Sequence, residues 1–398
     1  MGCADAAGGW AVPQRWQYLS AAPTWFPHWL QNGIYFFIRG FRALRSLAPW
    51  RGPAGGPDHA NIFAMKLLLP VLLLASAGLL SAAKNLEVYF IDVEGGQATL
   101  VVPPGGDSLL IDAGWPGHNH RDAERIAAAA KAAGVKRIDY LVITHFHTDH
   151  VGGVPQLAEK LPILNFVDHG TSVETDKDAQ ILFAEYKARR DKGNHITVKP
   201  GDTIPVKNLD VRVVEAAGEP IAAALPGAGQ SNPDCATFRK QDADPTENAQ
   251  SVGLAITFGE FRMVDLGDLT WNKEYALVCP ENKIGHADVF VVSHHGMNIS
   301  NSPQLVHALA PRVAIMDNGA RKGGTPQAWQ ILHQTPGIQD IWQLHYAVAA
   351  GKDHNSSDTV IANLDEACQG DWLKLTAERD GSFTVLNSRN KYEKSYKK

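Results

Sequence analysis

The sequence predicts a mixed α/β (α+β) fold on a sheet-dominated frame, and three observations carry that reading. Short apolar runs bounded by Gly and Pro recur from Leu86 onward, helix-like stretches separate several of them, and two strand-like runs end in histidines. With 398 residues the chain can bury a substantial core, in one large domain or two average ones. Its 44% hydrophobic and 20% charged content argues against global disorder. A formal net charge of -5 gives no electrostatic reason for tight, non-specific nucleic-acid binding, which needs a basic surface.

The elements follow in order. Residues 1–64 scatter Trp, Pro, Gly and Arg without helical or strand periodicity. MKLLLPVLLLASAGLLSAAK then has the layout of a secretory signal peptide: Lys66 as the positive region, Leu67 to Leu80 as the apolar core, and Ser81-Ala82-Ala83 as the cleavage signature. The apolar run is shorter than the roughly 20 residues of a membrane span and is interrupted by Pro70. Met65 is therefore expected to be the true start. Residues 1–64 form a doubtful extension, 65–83 a signal peptide, and 84–398 the exported domain, periplasmic or extracellular, with no stable membrane span after cleavage. Cys3 falls in the doubtful region. An oxidising compartment permits one bridge and one free thiol among Cys235, Cys279 and Cys368, with Cys235–Cys279 the expected pair.

LEVYFIDV alternates like a strand, EGGQ turns, and ATLVVPP and SLLIDAG read as further short strands. Asp122 to Ala133 reads as a helix with Gly134 as its stop. IDYLVIT is a buried strand delivering the chain into HFHTDH, VPQLAEKL is helix-like, ILNFVDHG a strand, and Gln180 to Arg190 a helix. ITVKPGDTIPVKNLDVRVVEAAG reads as strands with turns, and Pro220 to Asn248 as a long surface loop near a site. A hairpin is predicted around Phe258-Gly259-Glu260. ADVFVVSHHG and PRVAIMDN follow as strands, TPQAWQILHQT as a helix, and TVIANL and WLKLTAERDGSFTVLN as closing strands.

The chemistry concentrates where IDYLVIT ends. His145, His147, Asp149 and His150 sit on a tight loop leading into a helix, and imidazole and carboxylate suit zinc and similar divalent metals. His145 and His147 can face one ion, with Asp149 and His150 facing a second. Gly152 and Gly153 let the backbone pass closely behind.

The spacing HFHTDHVGG resembles the signature of the metallo-β-lactamase superfamily, which implies a four-layer αββα sandwich with two metals at one edge of its sheets. The resemblance assigns His169, in VDHG, as third ligand of the first metal. It assigns Asp268, in MVDLGDL, as the bridging carboxylate, with Asp265 as competitor, and His294 or His295, in VVSHHG, as the last ligand. Asp112, in LLIDAG, matches an aspartate that buttresses the metal loop. FIDVEGGQATLV, ENAQSVGLAITFGEFRMVDLGDL, HHGMNIS and RVAIMDNGARKGGTPQAW together resemble the metallo-hydrolase domain of competence DNA-uptake proteins. Asn248, Ser251 and Ser300 stand in register, while Glu94, Ala98, Met297 and Thr325 are departures.

This resemblance implies an exported, free-standing dinuclear hydrolase using a metal-bridging hydroxide, with Asp149 and Asp268 catalytic as well as ligating. Two divalent ions are expected, zinc first, with manganese or iron(II) compatible with the same ligands. A bridging aspartate favours a phosphodiester substrate, small or polymeric, with nucleic acid possible as a substrate only. Opening of lactone or β-lactam acyl bonds is the alternative, and a catalytically silent metal-binding surface protein a second one. Arg321 and Lys322 in NGARKGG suit an anion-binding loop. In IWQLHYAVAAGKDHN, His345 and His354 offer a substrate-pocket wall or, more plainly, a core-edge and a loop histidine.

Overall fold

The computed structural model describes residues 85–398, so the expectations for 1–64, for the signal peptide and for Cys3 lie outside the described residues. Among the described residues, no helix is long and apolar enough to cross a membrane.

Two nine-stranded sheets carry the fold. The first runs, edge to edge, through Glu393–Tyr396, Phe383–Asn387, Leu373–Ala377, Leu86–Phe90, Thr99–Val102, Leu109–Ile111, Ile138–Val142, Ile163–Asp168 and Asn194–Thr197. Its pairs are antiparallel up to Leu109–Ile111 and parallel beyond. The second runs through Ile361–Asn363, Asp340–His345, Val313–Met316, Val289–Val291, Phe261–Asp265, Gly253–Phe258, Asp210–Ala216 and Thr203–Ile204, with Glu219–Pro220 pairing Asp210–Ala216. In that order its pairs are parallel up to Phe261–Asp265 and antiparallel beyond.

Strand periodicity explains the layers. Leu86, Val88 and Phe90 face Val211, Val213, Leu254, Ile256 and Met263 in the core between the sheets. The alternate residues Tyr89 and Ile91 point outward, to a second core closed by Ala123, Ile126, Ala129 and Ala130 of the helix Arg121–Ala132 and by Tyr186 of the helix Lys177–Arg190. On the far side Val264, Phe290 and Ala314 pack against Leu277, Leu305 and Leu332, each from a separate helix. The result is the αββα sandwich. The sheets are also joined by polar contacts: Trp342 Nε1 donates to Tyr396 Oη at 2.8 Å, and that hydroxyl donates to Asp340 Oδ2 at 2.7 Å.

The hairpin turns at Gly259 with φ 64°, as its sequence requires. Other elements differ from expectation for local reasons. The helix expected from Gln180 starts at Lys177, because the Asp176 carboxylate caps the N–H groups of Asp178 and Ala179. VPQLAEKL forms only one turn, Val154–Leu157. The loop 220–248 carries a short ribbon, Gln230–Ser231 against Glu281–Asn282, and is pinned by a Cys235–Cys279 disulfide with Cα atoms 5.7 Å apart. The lysine-rich C-terminal tip supplies an edge strand, Glu393–Tyr396.

Candidate metal centre

Both halves of the centre lie where parallel strands stop. Beyond Leu109–Ile111, Asp112 adopts φ 59° and accepts hydrogen bonds from Thr144 N at 2.8 Å and Thr144 Oγ1 at 2.7 Å. This fixes the exit of the neighbouring strand Ile138–Val142. His145 and His147 follow in extended backbone, and one helical turn, Thr148–Val151, then brings Asp149 and His150 inward. The backbone crosses closely behind: a Cβ on Gly153 would lie 2.0 Å from Ala113 O. From the second sheet, Gly267 (φ 55°) presents Asp268. After Val289–Val291, His294 and His295 are left-handed at φ 55° and 53°. Such backbone costs on the order of 1–3 kcal/mol per non-glycine residue and persists where the surroundings over-determine it.

The inner atoms converge. His145 Nε2 lies 3.1 Å from His147 Nδ1 and 3.9 Å from Asp268 Oδ2. His294 Nε2 lies 3.3 Å from the same oxygen. Around Asp268 Oδ1, His150 Nε2 is at 3.3 Å and His295 Nε2 at 3.4 Å, and the two nitrogens are 3.2 Å apart. Asp149 Oδ2 completes this group at 3.2 Å from His150 and 3.1 Å from His295. The ligand atoms of Asp149, His150, Asp268 and His295 all lie within 4.8 Å of one another.

Each ring's outer nitrogen faces a polar group. Asp112 Oδ2 lies 2.7 Å from His150 Nδ1, Thr144 Oγ1 3.0 Å from His145 Nδ1, and Glu174 Oε1 3.3 Å from His147 Nε2. Ser300 Oγ and Asp317 Oδ1 each lie 3.3 Å from Nδ1 of His294 and His295. At His145, His147, His150 and His294 these groups select the tautomer that leaves the inner nitrogen unprotonated, the form a cation needs, whereas Asp317 acts on His295 by its charge, its Oδ1 making no hydrogen bond. Two inward lone pairs about 3 Å apart repel unless a proton or a metal sits between them, and tetrahedral zinc with N bonds near 2.0 Å separates its ligands by roughly 3.3 Å. The residues present therefore fit divalent ions.

The electrostatics agree. Asp268 and Asp149 are held well below the usual carboxylate range: burial opposes this, but the surrounding imidazoles outweigh it. Against burial, Asp268, Asp149 and Asp112 hold His150 well above the ordinary histidine range. His295 is pushed up to about 10, where Asp268, Asp317 and Asp149 outweigh burial and Lys322. Burial, reinforced by His150, drives His145 well down. Protons thus occupy a site whose carboxylates attract cations, and metal binding must displace them.

The amino-acid sequence places the same centre in a family. Residues 91–231 match the family model described as Metallo-beta-lactamase superfamily. That match to the metallo-β-lactamase superfamily covers the stretch holding His145, His147, Asp149 and His150. It is 28% identical over 249 residues to "ComE operon protein 3" of Bacillus subtilis (strain 168), covering 58% of this chain and 28% of that protein. It is 25% identical over 289 residues to "Competence protein ComA" of Neisseria gonorrhoeae, covering 69% of this chain and 36% of that protein. A "Hydroxyacylglutathione hydrolase" of Rhodopseudomonas palustris (strain HaA2) is 32% identical over 116 residues, covering 29% of this chain and 36% of that protein. The chain spans about a third of the length of the curated relatives it matches. The metallo-β-lactamase superfamily is a family of dinuclear, metal-dependent proteins with a hydrolase-type fold, and this chain has a candidate metal site.

Most expected site residues meet. His145, His147, Asp149, His150, Asp268, His294 and His295 surround one centre, and Asp112 supports it. Asp265 is set apart: it is buried, accepts from Gln97 Nε2 at 2.6 Å, and burial pushes it up to about 7. Three expectations need correction. His169 Nε2 faces Glu247 Oε2 at 2.9 Å rather than the histidine pair, because Glu247 is anchored there by the N–H groups of Phe146 and Val173. Arg321 is a surface residue paired with Glu366, so it forms no anion loop with Lys322. His345 is fully buried against Asp92 at 2.9 Å and cannot line a pocket wall.

Lys322 alone of that basic pair reaches the centre, where its Nζ contacts Asp149 Oδ2. Sequence reasoning missed Glu174, Glu247, Asp317 and Thr144. Asp317 directly follows the strand Val313–Met316, a position comparable to Asp112 after Leu109–Ile111. Glu174 carries no such signal.

Proposed function

We propose that this chain is an exported dinuclear hydrolase acting on a phosphodiester. The observation that carries the substrate class is Lys322: an ammonium group placed against Asp149, at the rim of a centre otherwise built from imidazole and carboxylate. A neutral lactone or amide gives such a cation little to bind, whereas a phosphodiester brings a negative charge into the site and gains more in its transition state. In this reading His145, His147, His294 and Asp268 would hold one ion, and Asp149, His150, His295 and Asp268 the other.

Zinc fits this donor set best, and when bound such ions supply a water nucleophile at neutral pH and neutralise developing negative charge. The protein's own part is positional. Asp268 divides its two oxygens between the halves, Asp112, Glu174 and Asp317 hold the imidazoles, and Lys322 steers the anionic substrate. A cavity of about 570 Å³ is lined by Thr270, Trp271, Asn298 and Ile299, which follow Asp268 and His295 in the chain, and we assign it to the substrate's flanking group.

The test is a panel assay of metal-loaded protein on bis-p-nitrophenyl phosphate, single-stranded DNA, a lactone and a β-lactam. Turnover of the phosphodiesters, abolished in a folded His147→Ala variant, is expected. Turnover of the acyl substrates alone would replace the substrate class, and activity surviving His147→Ala would refute the mechanism. Export is tested by N-terminal sequencing of secreted material, which should begin near Lys84.

A further inference from the structure

A second group of ligating side chains lies outside the centre just described. The turn after Leu86–Phe90 brings in Asp92 and Glu94, the end of Asp340–His345 brings in His345, and the loop before Leu373–Ala377 brings in Cys368. His345 Nε2 lies 2.9 Å from Asp92 Oδ1 and 3.4 Å from Glu94 Oε2. Cys368 Sγ lies 3.2 Å from Asp92 Oδ2, 3.3 Å from Glu94 Oε1 and 3.9 Å from His345 Nε2. We propose that Asp92, Glu94, His345 and Cys368 form a further divalent-metal site, suited to a single zinc-class ion and independent of the hydrolytic centre.

Four features support it. Nitrogen, sulfur and two carboxylate donors make a four-coordinate set of the kind zinc takes, and their spacings of 2.9–3.9 Å bracket the roughly 3.3–3.8 Å between ligand atoms in a tetrahedral site. Arg125 Nη1 donates to Asp92 Oδ2 at 2.8 Å and Glu94 Oε1 at 3.1 Å, which turns the other oxygen of each carboxylate toward His345. His345 is fully buried and its Nδ1 has no partner, so the ring is committed to the cluster through Nε2 alone.

Charge provides the fourth. Two carboxylates, a thiolate and one guanidinium leave a net charge that a divalent cation cancels. A bound divalent ion holds a coordinating thiol in its thiolate form. The role is structural. Glu94 leads into Gly95 and Gly96, where added Cβ atoms would lie 2.9 Å from Gly319 N and 2.3 Å from Asp149 O, so the ion would brace the turn that backs the hydrolytic loop.

The full chain loaded with Co2+ tests the assignment. Cys235 and Cys279 are joined, the hydrolytic centre has no sulfur, and every protein compared carries Cys3→Ser to remove the remaining thiol, so a thiolate-to-cobalt charge-transfer band in the near ultraviolet reports Cys368. The band is expected in the wild type and in His147→Ala, and lost in Cys368→Ser together with one equivalent of metal. His345→Gln, which keeps the thiol, should weaken or shift the band and serves if Cys368→Ser fails to fold. Absence of the band in the wild type, its survival in Cys368→Ser, or an unchanged spectrum in His345→Gln would overturn the site. Loss of the band in His147→Ala would also overturn it, whereas failure of the hydrolytic reading alone would leave the band intact.

Discussion

His294 Nε2 lies 3.3 Å from Asp268 Oδ2, while the adjacent His295 Nε2 lies 3.4 Å from Asp268 Oδ1. Two consecutive residues thus flank both oxygens of one carboxylate, which ordinary strand or helix backbone does not permit. The left-handed pair makes His294 the available third histidine where His169 was expected. His294→Asn should lower metal content by one equivalent and remove activity. His169→Asn should keep both metals and lose about 1–3 kcal/mol of stability by unpairing Glu247, a contrast read by metal analysis and thermal unfolding.

The supporting carboxylates make a second prediction. Asp112 and Glu174 act through the imidazoles they orient, so Asp112→Asn and Glu174→Gln should weaken metal affinity by roughly 10- to 100-fold. Competition with a chelator measures this directly. Activity at saturating metal should fall far less than the affinity does.

Lys322 separates substrate recognition from metal binding. Lys322→Gln removes one charge-assisted contact, worth about 1.5–3 kcal/mol. The expected result is a loss of roughly 10- to 100-fold in kcat/KM on a charged phosphodiester, with metal stoichiometry unchanged.

Glu215 gives a pH signature away from the centre. Its carboxyl is buried with neither oxygen hydrogen-bonded, and burial pushes it up to about 8. The folded state therefore holds a proton that the unfolded state releases near its ordinary value of 4.5. Between those limits the folded state binds more protons, so stability falls as pH rises from about 4.5 to about 8 and is level above. The total is on the order of a few kcal/mol. Chemical denaturation across that range should show the slope, and Glu215→Gln should flatten it while raising stability at pH 8 to 9.

The Cys235–Cys279 bridge closes a segment of 44 residues. Loop-closure entropy puts its contribution at about 4 kcal/mol. Cys235→Ser/Cys279→Ser should lower the denaturation midpoint accordingly without altering metal content.

The sequence made legible what short-range pattern controls. Alternation in LEVYF, the Gly259 turn and the Gly134 stop each state a local backbone preference, and those elements lie where expected. HxHxDH is equally local, since one strand exit and one helical turn place all four side chains. His169 and His345 show the limit. Both are histidines at strand ends, and what each faces depends on Glu247 and Asp92, 78 and 253 residues away in the chain. Arg321 and Lys322 are adjacent, yet only the three-dimensional turn decides which one points inward.

The division of the ligands between the sheets has a consequence for assembly. His145, His147, Asp149 and His150 belong to one sheet, and Asp268, His294 and His295 to the other. Neither half can hold an ion pair until the two faces have docked. Metal capture would therefore require the completed sandwich, and ions held there would act as rivets across a joint that hydrophobic packing closes.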